Sequence, residues 1–446
     1  MGTGFTIATP LNVARYGISS VVSLVDDALI EQMRQKLGRT FGRECPAIGE
    51  RDDDARARRI ASYLDLLDDL VEHQVERVRA SAFEVGSEIT RYYQMLPDSP
   101  LRSMYETMLS MTDGVARSEL QDELRRRITR GSIDVNIMTK LDRDRFRRGK
   151  ELGPMFSDAM SALRGFASSK VHASVILSAG LNRRLYSYLA DFDDFFPDAE
   201  GQLRKKIILK VSDFRSALIQ GKILAKKGLW VSEFRIESGL NCGGHAFGDK
   251  GHVLGPILEE FNREKDRLID QLHGLSGKAR VALGRESAPE PLPVRITVQG
   301  GIGTAAEAQM LHEVYGVDST GWGSPFLLVP EVVSIDEPHL EKVAAAREED
   351  VELSENSPLG IPFWSLKTSA SEEARLSRIE EGKPGSPCPK GFVAFNTEFT
   401  NSPICIASRA YQKRKLEELA EEPVKPEIAE DVREGILAKS CICLLY

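Results

Sequence analysis

The sequence predicts a (β/α)8 TIM barrel, α/β in class, with a helical insertion and a cysteine-bearing C-terminal extension. Three observations predict it. Eight short apolar or β-branched runs punctuate the chain. Most are followed by a helical pattern, and strands alternating with helices pair in parallel and close into a barrel when eight such units succeed one another. The last two runs end in glycines, at the place where barrel loops commonly share a phosphate.

The runs are, in order, Phe5–Pro10, Gly17–Val25, Ser132–Thr139, Ala173–Ala179, Lys206–Ser212, Trp230–Ser238, Val294–Gly300 and Val317–Ser324. Residues 1–25 hold the first barrel strands, and residues 26–131 form a charged interval longer than one crossover helix requires. Within it, Ala61–Val78 places apolar residues at helical spacing, and Ser118–Arg130 reads as a second, strongly charged helix. This insertion is read as a cap on the barrel or as a subunit contact in a homodimer. The clusters Arg51–Arg59 and Glu123–Arg130 read as solvated helix faces. Residues 132–335 complete the barrel, with a loop over Ala282–Pro293, and residues 336–446 form an extension that carries four of the six cysteines.

Of the 446 residues, 41% are hydrophobic and 28% charged, which is ordinary for a soluble globular chain. A net charge of -8 argues against nucleic acid as a partner, because phosphate binding rests on clustered basic charge. No apolar run approaches the roughly 20 residues that span a bilayer. The first ten residues lack the basic head and apolar core of a secretory signal. The expectation is a cytoplasmic protein with no membrane partner, acting on a small-molecule substrate. Six cysteines in so long a chain do not make a disulfide scaffold, so they are thiols or ligands.

The strongest local signal is Arg295-Ile-Thr-Val-Gln-Gly-Gly-Ile-Gly-Thr304, a strand entering Gly300, Gly301 and Gly303 before a helix-forming stretch. Glycines let the backbone approach an anion, and the helix that follows offers unpaired N–H groups at its positive end. A tight ligand-free turn would have the same sequence. The next run ends in Gly321, Gly323 and Ser324, and the succession of two glycine-bearing strand ends favours a phosphate-anchored ligand. At the end of the sixth run, Asn241-Cys-Gly-Gly-His245 places Gly243 and Gly244 where a flat ring could be approached. It also places His245 at the C-terminal mouth, where a histidine can exchange protons near neutral pH. Ser178–Asn182 ends the fourth run with residues equally suited to an ordinary turn or a ligand contact.

Taken as an ordered set, Cys242-Gly-Gly-His245, Gly300–Thr304, Trp322-Gly-Ser-Pro-Phe326 and the Val135-Asn136 pair resemble the nitronate monooxygenase family of FMN-dependent TIM barrels. The resemblance covers the barrel and leaves the intervening helices much altered. It implies an FMN whose phosphate rests on Gly300, Gly301, Gly323 and Ser324, with Asn136 on the flavin and His245 facing a small carbon acid. Related barrels place a lysine near the electron-rich edge of the ring, and Lys210 is the candidate, ahead of Lys206. Cys242 stands where the family has alanine, and the first strand lacks the family's Gly-Pro-Met-like turn. A flavin-dependent enoyl-thioester reductase, built on the same barrel with similar glycines, is the nearest alternative.

Cys388, Cys405, Cys441 and Cys443 supply four thiols, enough for a tetrahedral zinc or an iron–sulfur cluster. Their spacing is not the paired C-x-x-C pattern, and unrelated thiols on a covering tail would read the same way. A cluster-bearing electron-transfer protein is the alternative from a different class.

Overall fold

A computed structural model describes residues 3–139, 142–147, 150–178, 180–237, 254–360, 362–388, 390–421, 423 and 425–441. Its centre is one parallel sheet of seven strands: β1 (Ser20–Ser23), β2 (Ile133–Met138), β3 (Ala173–Ser178), β4 (Lys205–Val211), β5 (Val231–Glu237), β6 (Arg295–Gln299) and β7 (Ser319–Gly321). Each strand pairs with the next in sequence, which is the progression of a barrel, but β1 and β7 are not paired and the sheet stops as a half-barrel.

The expectation of eight strands in a closed TIM barrel is therefore corrected, and the cause lies at the start of the chain. Phe5–Pro10 is not a strand: short helices cover Thr3–Thr6 and Thr9–Val13, with Pro10 in the first turn of the second. Proline cannot donate to a ladder, whereas the first turn of a helix needs no N–H from it. This helical segment seals the open side. Thr9–Val13 packs on β1, Thr9 Oγ1 and Asn12 Nδ2 donate to the Val332 carbonyl at 2.9 and 3.2 Å, and Ser334 N donates to Phe5 O at 2.8 Å.

Alternation along the strands sorts the side chains. Val135 and Ile137, Val175 and Leu177, Ile207 and Leu209, and Phe234 and Ile236 are buried toward the helices. Among them pack α1 (Asp27–Phe41), α2 (Ala55–Ala80), α3 (Asp158–Ser168), α4 (Phe214–Ala225) and α5 (Leu254–Ala282). The other face looks into the lumen and is largely polar. A register shift at Ile207/Ile208 sets Glu233, Arg235 and Glu237 in line on that face. In a closed barrel these positions interdigitate as apolar layers; charged side chains cannot be packed that way without solvent or partners.

The charged interval is helical, and α2 lies against α3 rather than across the lumen. The reading of Arg51–Arg59 as a solvated face fails at two positions. Arg56 and Arg59 are buried and converge on Asp27, each at 2.8 Å from a carboxylate oxygen. Arg56 also donates to the carbonyls of Leu24, Val25 and Asp158. Arg126 and Arg127, by contrast, pair with Glu123 in solvent. Beyond β7 the chain adds an antiparallel pair, β8 (Val351–Ser354) with β9 (Phe363–Leu366). It also adds the helices Ala370–Glu380, Arg409–Glu421 and Pro426–Ala438. No helix among the described residues is long and apolar enough to cross a membrane.

Candidate active site

The lumen is a cavity of about 1560 Å³. It extends from Leu203 and Pro293, near the N-terminal strand ends, past the inner face of every strand to Trp364 and Cys441 of the extension. Asn136 and Lys210 line it, as the sequence reading requires of flavin contacts.

Lys210 is not a free cation. Its Nζ lies 2.8 Å from Glu237 Oε1, and Gln299 Nε2 donates to the same oxygen at 3.2 Å. One turn of the pleat lower, Glu233 accepts from Arg235 Nε at 2.7 Å and Thr297 Oγ1 at 2.6 Å, with Arg295 at 3.7 Å. Asp134 accepts from Ser132 Oγ at 2.5 Å and from the Ser174 amide at 2.9 Å. Burial pushes its carboxyl above the usual range despite those donors. Each lumen carboxylate thus has partners, and the inner face combines fixed charge with hydrogen-bonding groups.

The glycine-bearing ends of β6 and β7 are side by side, since Gly300 N reaches Gly321 O at 3.4 Å. Gly300 and Gly301 have φ of 81° and 70°, left-handed backbone that favours glycine. Beyond them starts the helix Ala305–Tyr315, capped by Thr304 and Glu307 in a reciprocal box. Gly303 N and Thr304 N each donate to Glu307 Oε2 at 2.8 Å. These donors hold the Glu307 carboxyl below its usual range. The amides of Gly301, Ile302 and Gly323 have no acceptor among the described residues. Gly323 lines the cavity, and Ser324 opens a short 3-10 turn to Leu328. Of the glycines read as a phosphate cradle, Gly301 and Gly323 thus keep an amide to offer, whereas the Gly300 amide reaches Gly321 O; Gly303, also read as a cofactor contact, donates to Glu307.

His245, Gly243 and Gly244 lie outside the described residues, as does Cys443. Of the other three tail cysteines, Cys405 packs against the small apolar cluster of Val25, Phe392 and Val393. Burial pushes the Cys405 thiol up to about 11, the amides of Ala407 and Ser408 that donate to its sulfur oppose that rise, and the thiols of Cys441 and Cys388 add to it. Among the described residues, no group of three or more His, Cys, Asp or Glu side chains could hold a metal ion.

Glu233, Arg235, Glu237, Thr297 and Gln299 were not foreseen as site residues. The signal was present in Ser232-Glu-Phe-Arg-Ile-Glu237 and Arg295-Ile-Thr-Val-Gln299, where polar groups recur at a period of two inside strands flanked by helices. A parallel strand buried on both faces reads as a continuous apolar run, so that alternation marks a polar lumen.

Comparison with known proteins adds little. No family model matches the chain, and no curated protein matches it. Among solved structures it is similar to the enoyl reductase domain of MlnA from the macrolactin biosynthesis cluster of Bacillus amyloliquefaciens. The identity is 14%, over 77% of this chain and 72% of that one, with a TM-score of 0.35. Agreement that loose carries no argument about fold or activity.

Proposed function

We propose that the chain is an FMN-dependent oxidoreductase that anchors the cofactor phosphate at the adjoining ends of β6 and β7. The observation that supports this reading is the pairing of those two ends. Successive left-handed glycines and the unclaimed amides of Gly301, Ile302 and Gly323 stand beside a large lumen. Backbone amides without acceptors are the groups an anion recruits. The fit is narrower than the sequence reading, because Glu307 already holds the amides of Gly303 and Thr304.

Bound FMN would supply a two-electron redox centre. The chain's own part is to hold and polarise. The Lys210–Glu237 pair presents a cation whose charge is partly compensated, and Asn136 offers an amide that can donate or accept. His245 remains the proposed proton carrier.

Two substrate classes fit this chemistry: a small carbon acid, as in the nitronate monooxygenases, and an enoyl thioester reduced at the expense of a nicotinamide. The lumen favours the second. At about 1560 Å³ it exceeds the roughly 300–1,000 Å³ usual for a small-molecule site, and it runs the length of the sheet. A small nitronate would leave most of it empty.

FMN binding followed by flavin fluorescence tests the anchor. Gly301→Val places a β-branched residue at a positive φ and is expected to weaken binding at least about tenfold, the equivalent of roughly 1.4 kcal/mol. Unchanged affinity would remove the phosphate assignment. With flavin bound, anaerobic bleaching by NADPH and reoxidation by an α,β-unsaturated acyl thioester would support the reductase. Oxygen consumption with a nitronate, and no thioester turnover, would support the monooxygenase.

A further inference from the structure

We propose that residues 336–441 form a lid over the C-terminal mouth of the lumen, latched to the body of the molecule at Lys390 and opening to admit the ligand. This goes beyond the flavin reading and holds for any occupant of the lumen.

The segment is tied to itself far more than to the body, residues 3–334. β8 and β9 pair over their whole length. Ser386 N donates to Ala407 O at 2.8 Å, Gln412 Nε2 to Lys439 O at 2.9 Å, and Ser440 N to Asn356 O at 2.8 Å. These ties join the strand pair, the turns and the last two helices into one piece. None of its described apolar side chains belongs to the core shared by the sheet and the helical interval. Among the described residues, its hydrogen bonds and ion pairs to the body converge on Lys390, whose ammonium meets Asp26 and whose carbonyl accepts from the Arg143 guanidinium. Beside that point Phe392 and Val393 make a small separate cluster with Val25, on which Met138, Leu359 and Cys405 pack.

The latch can release without stranding charge in the body. Asp26 Oδ1 caps α1 by accepting from the amides of Ala28 and Leu29 at 3.1 and 3.2 Å, and only Oδ2 faces Lys390. Arg143 Nε keeps Asp158 Oδ2 at 2.8 Å whether or not its other nitrogen reaches Lys390. A buried charge that retains a partner avoids most of the penalty of losing one. At the other side lies the pivot. The body's last ties are the Val332 carbonyl, which accepts from Thr9 and Asn12, and Ser334 N, which donates to Phe5 O. The chain then enters the helix Glu337–Ala345, which rests on the Ser324–Leu328 turn.

The lid is also a wall of the site. Leu359, Trp364, Leu366 and Val393 give apolar surface to the cavity that Asn136 and Lys210 line from the strands. A ligand enclosed by them is shielded from water, and it can arrive or leave only when they lift. Local opening of a unit with few buried apolar contacts costs much less than global unfolding.

The test follows thiol modification by N-ethylmaleimide in the full chain, read peptide by peptide by mass spectrometry. Cys405 is packed under the latch and reports its opening, whereas Cys45, packed on the main core beside Gly38, reports the body. Lys390→Ala is expected to speed modification of Cys405 at least about tenfold, as fits the loss of a charge-assisted hydrogen bond, and to leave Cys45 unchanged. Lys390→Arg keeps the charge and should stay within about threefold of the parent rate. Asn136→Cys sets a reporter inside the lumen, and its thiol should be reached faster when Lys390→Ala is added. Circular dichroism confirms that each variant is folded. An unaltered Cys405 rate in folded Lys390→Ala protein, an equal acceleration at Cys45, or a lumen thiol equally accessible with and without the latch would overturn the proposal.

Discussion

The two additions to the sheet are held in opposite ways. The helices between β1 and β2 share the main core. Tyr63, Leu64, Leu67 and Val71 of α2 are fully or nearly fully buried, and the Asp27 carboxylate anchors two arginines within that packing. The segment after β7 buries few apolar side chains and is fastened by polar ties. The Lys390 ammonium meets Asp26, the Arg143 guanidinium donates to Lys390 O, and that guanidinium lies over the Phe392 ring at 4.7 Å. The difference teaches that one addition is part of the fold, whereas the other is a cover whose attachment can be altered without unfolding what lies beneath.

Substitutions can break or sharpen that contrast. The largest effect is expected at Asp27. Removing its carboxylate in Asp27→Ala leaves two guanidinium groups buried with one ionic partner fewer, at a cost of about 3–5 kcal/mol in urea unfolding. A loss under about 1 kcal/mol would mean that the lattice is not integral. The same residue gives a pH dependence. Burial alone would raise its pKa, but the charge of Arg56, the hydrogen bond from Arg59 and the charge of Arg145 hold it below the usual carboxylate range. Its contribution is therefore complete above the unfolded value near about 4 and is lost as pH falls through the lower folded value, because the unfolded chain binds the proton first. Asp27→Ala should flatten the acid limb of a stability–pH curve in that window.

Next comes the α2–α3 contact. A Cβ at Gly165 would stand 2.6 Å from Ala57 O and 2.9 Å from Ile60 Cβ, so Gly165→Ala must push two helices apart. About 1–3 kcal/mol is expected from the melting curve. In the cover, Phe392→Ala should behave differently from a core phenylalanine, for which about 3–5 kcal/mol is usual. The main transition should move by less than about 1 kcal/mol, while protease cleavage within residues 336–441 accelerates. A full core-sized loss would erase the distinction between the two additions. The smallest effect is expected for Gln412→Ala, which loses one hydrogen bond to Lys439 O, about 1 kcal/mol or less.

Much of the sheet was legible because β2 to β6 combine β-branched or apolar alternation with helical stretches between them. Those runs agree with the strands to within a residue or two. The first run was misread for a physical reason: a short apolar stretch has no period that separates strand from helix, and Pro10 was the deciding residue. The last strand shrank to Ser319–Gly321 because its glycines weaken pairing. In the site, Lys210 and Asn136 line the lumen, alternating with the buried Leu209 and Val135. Their partners were not foreseen, since Glu237 sits beside Lys210 only through a register shifted at Ile207/Ile208. The capping box of Thr304-Ala-Ala-Glu307 was passed over in the sequence, and its glutamate closes part of the cradle the preceding glycines announce.

The placement of the helical interval also bears on how the molecule assembles. β1 and β2 are neighbours in the sheet although the chain runs from Ser23 to Ile133 between them. Joining strands across so long a loop is slow when the loop is unstructured, because the entropy of closure must be met before the ladder forms. Helices form from local contacts in about a microsecond and need no distant partner. Once α1 and α2 are in place, Arg56 can grip the Leu24 and Val25 carbonyls at the end of β1 and the Asp158 carbonyl at the start of α3. The interval then acts as a splint, shortening the effective loop so that the first rung of the sheet is laid by helices folded ahead of it.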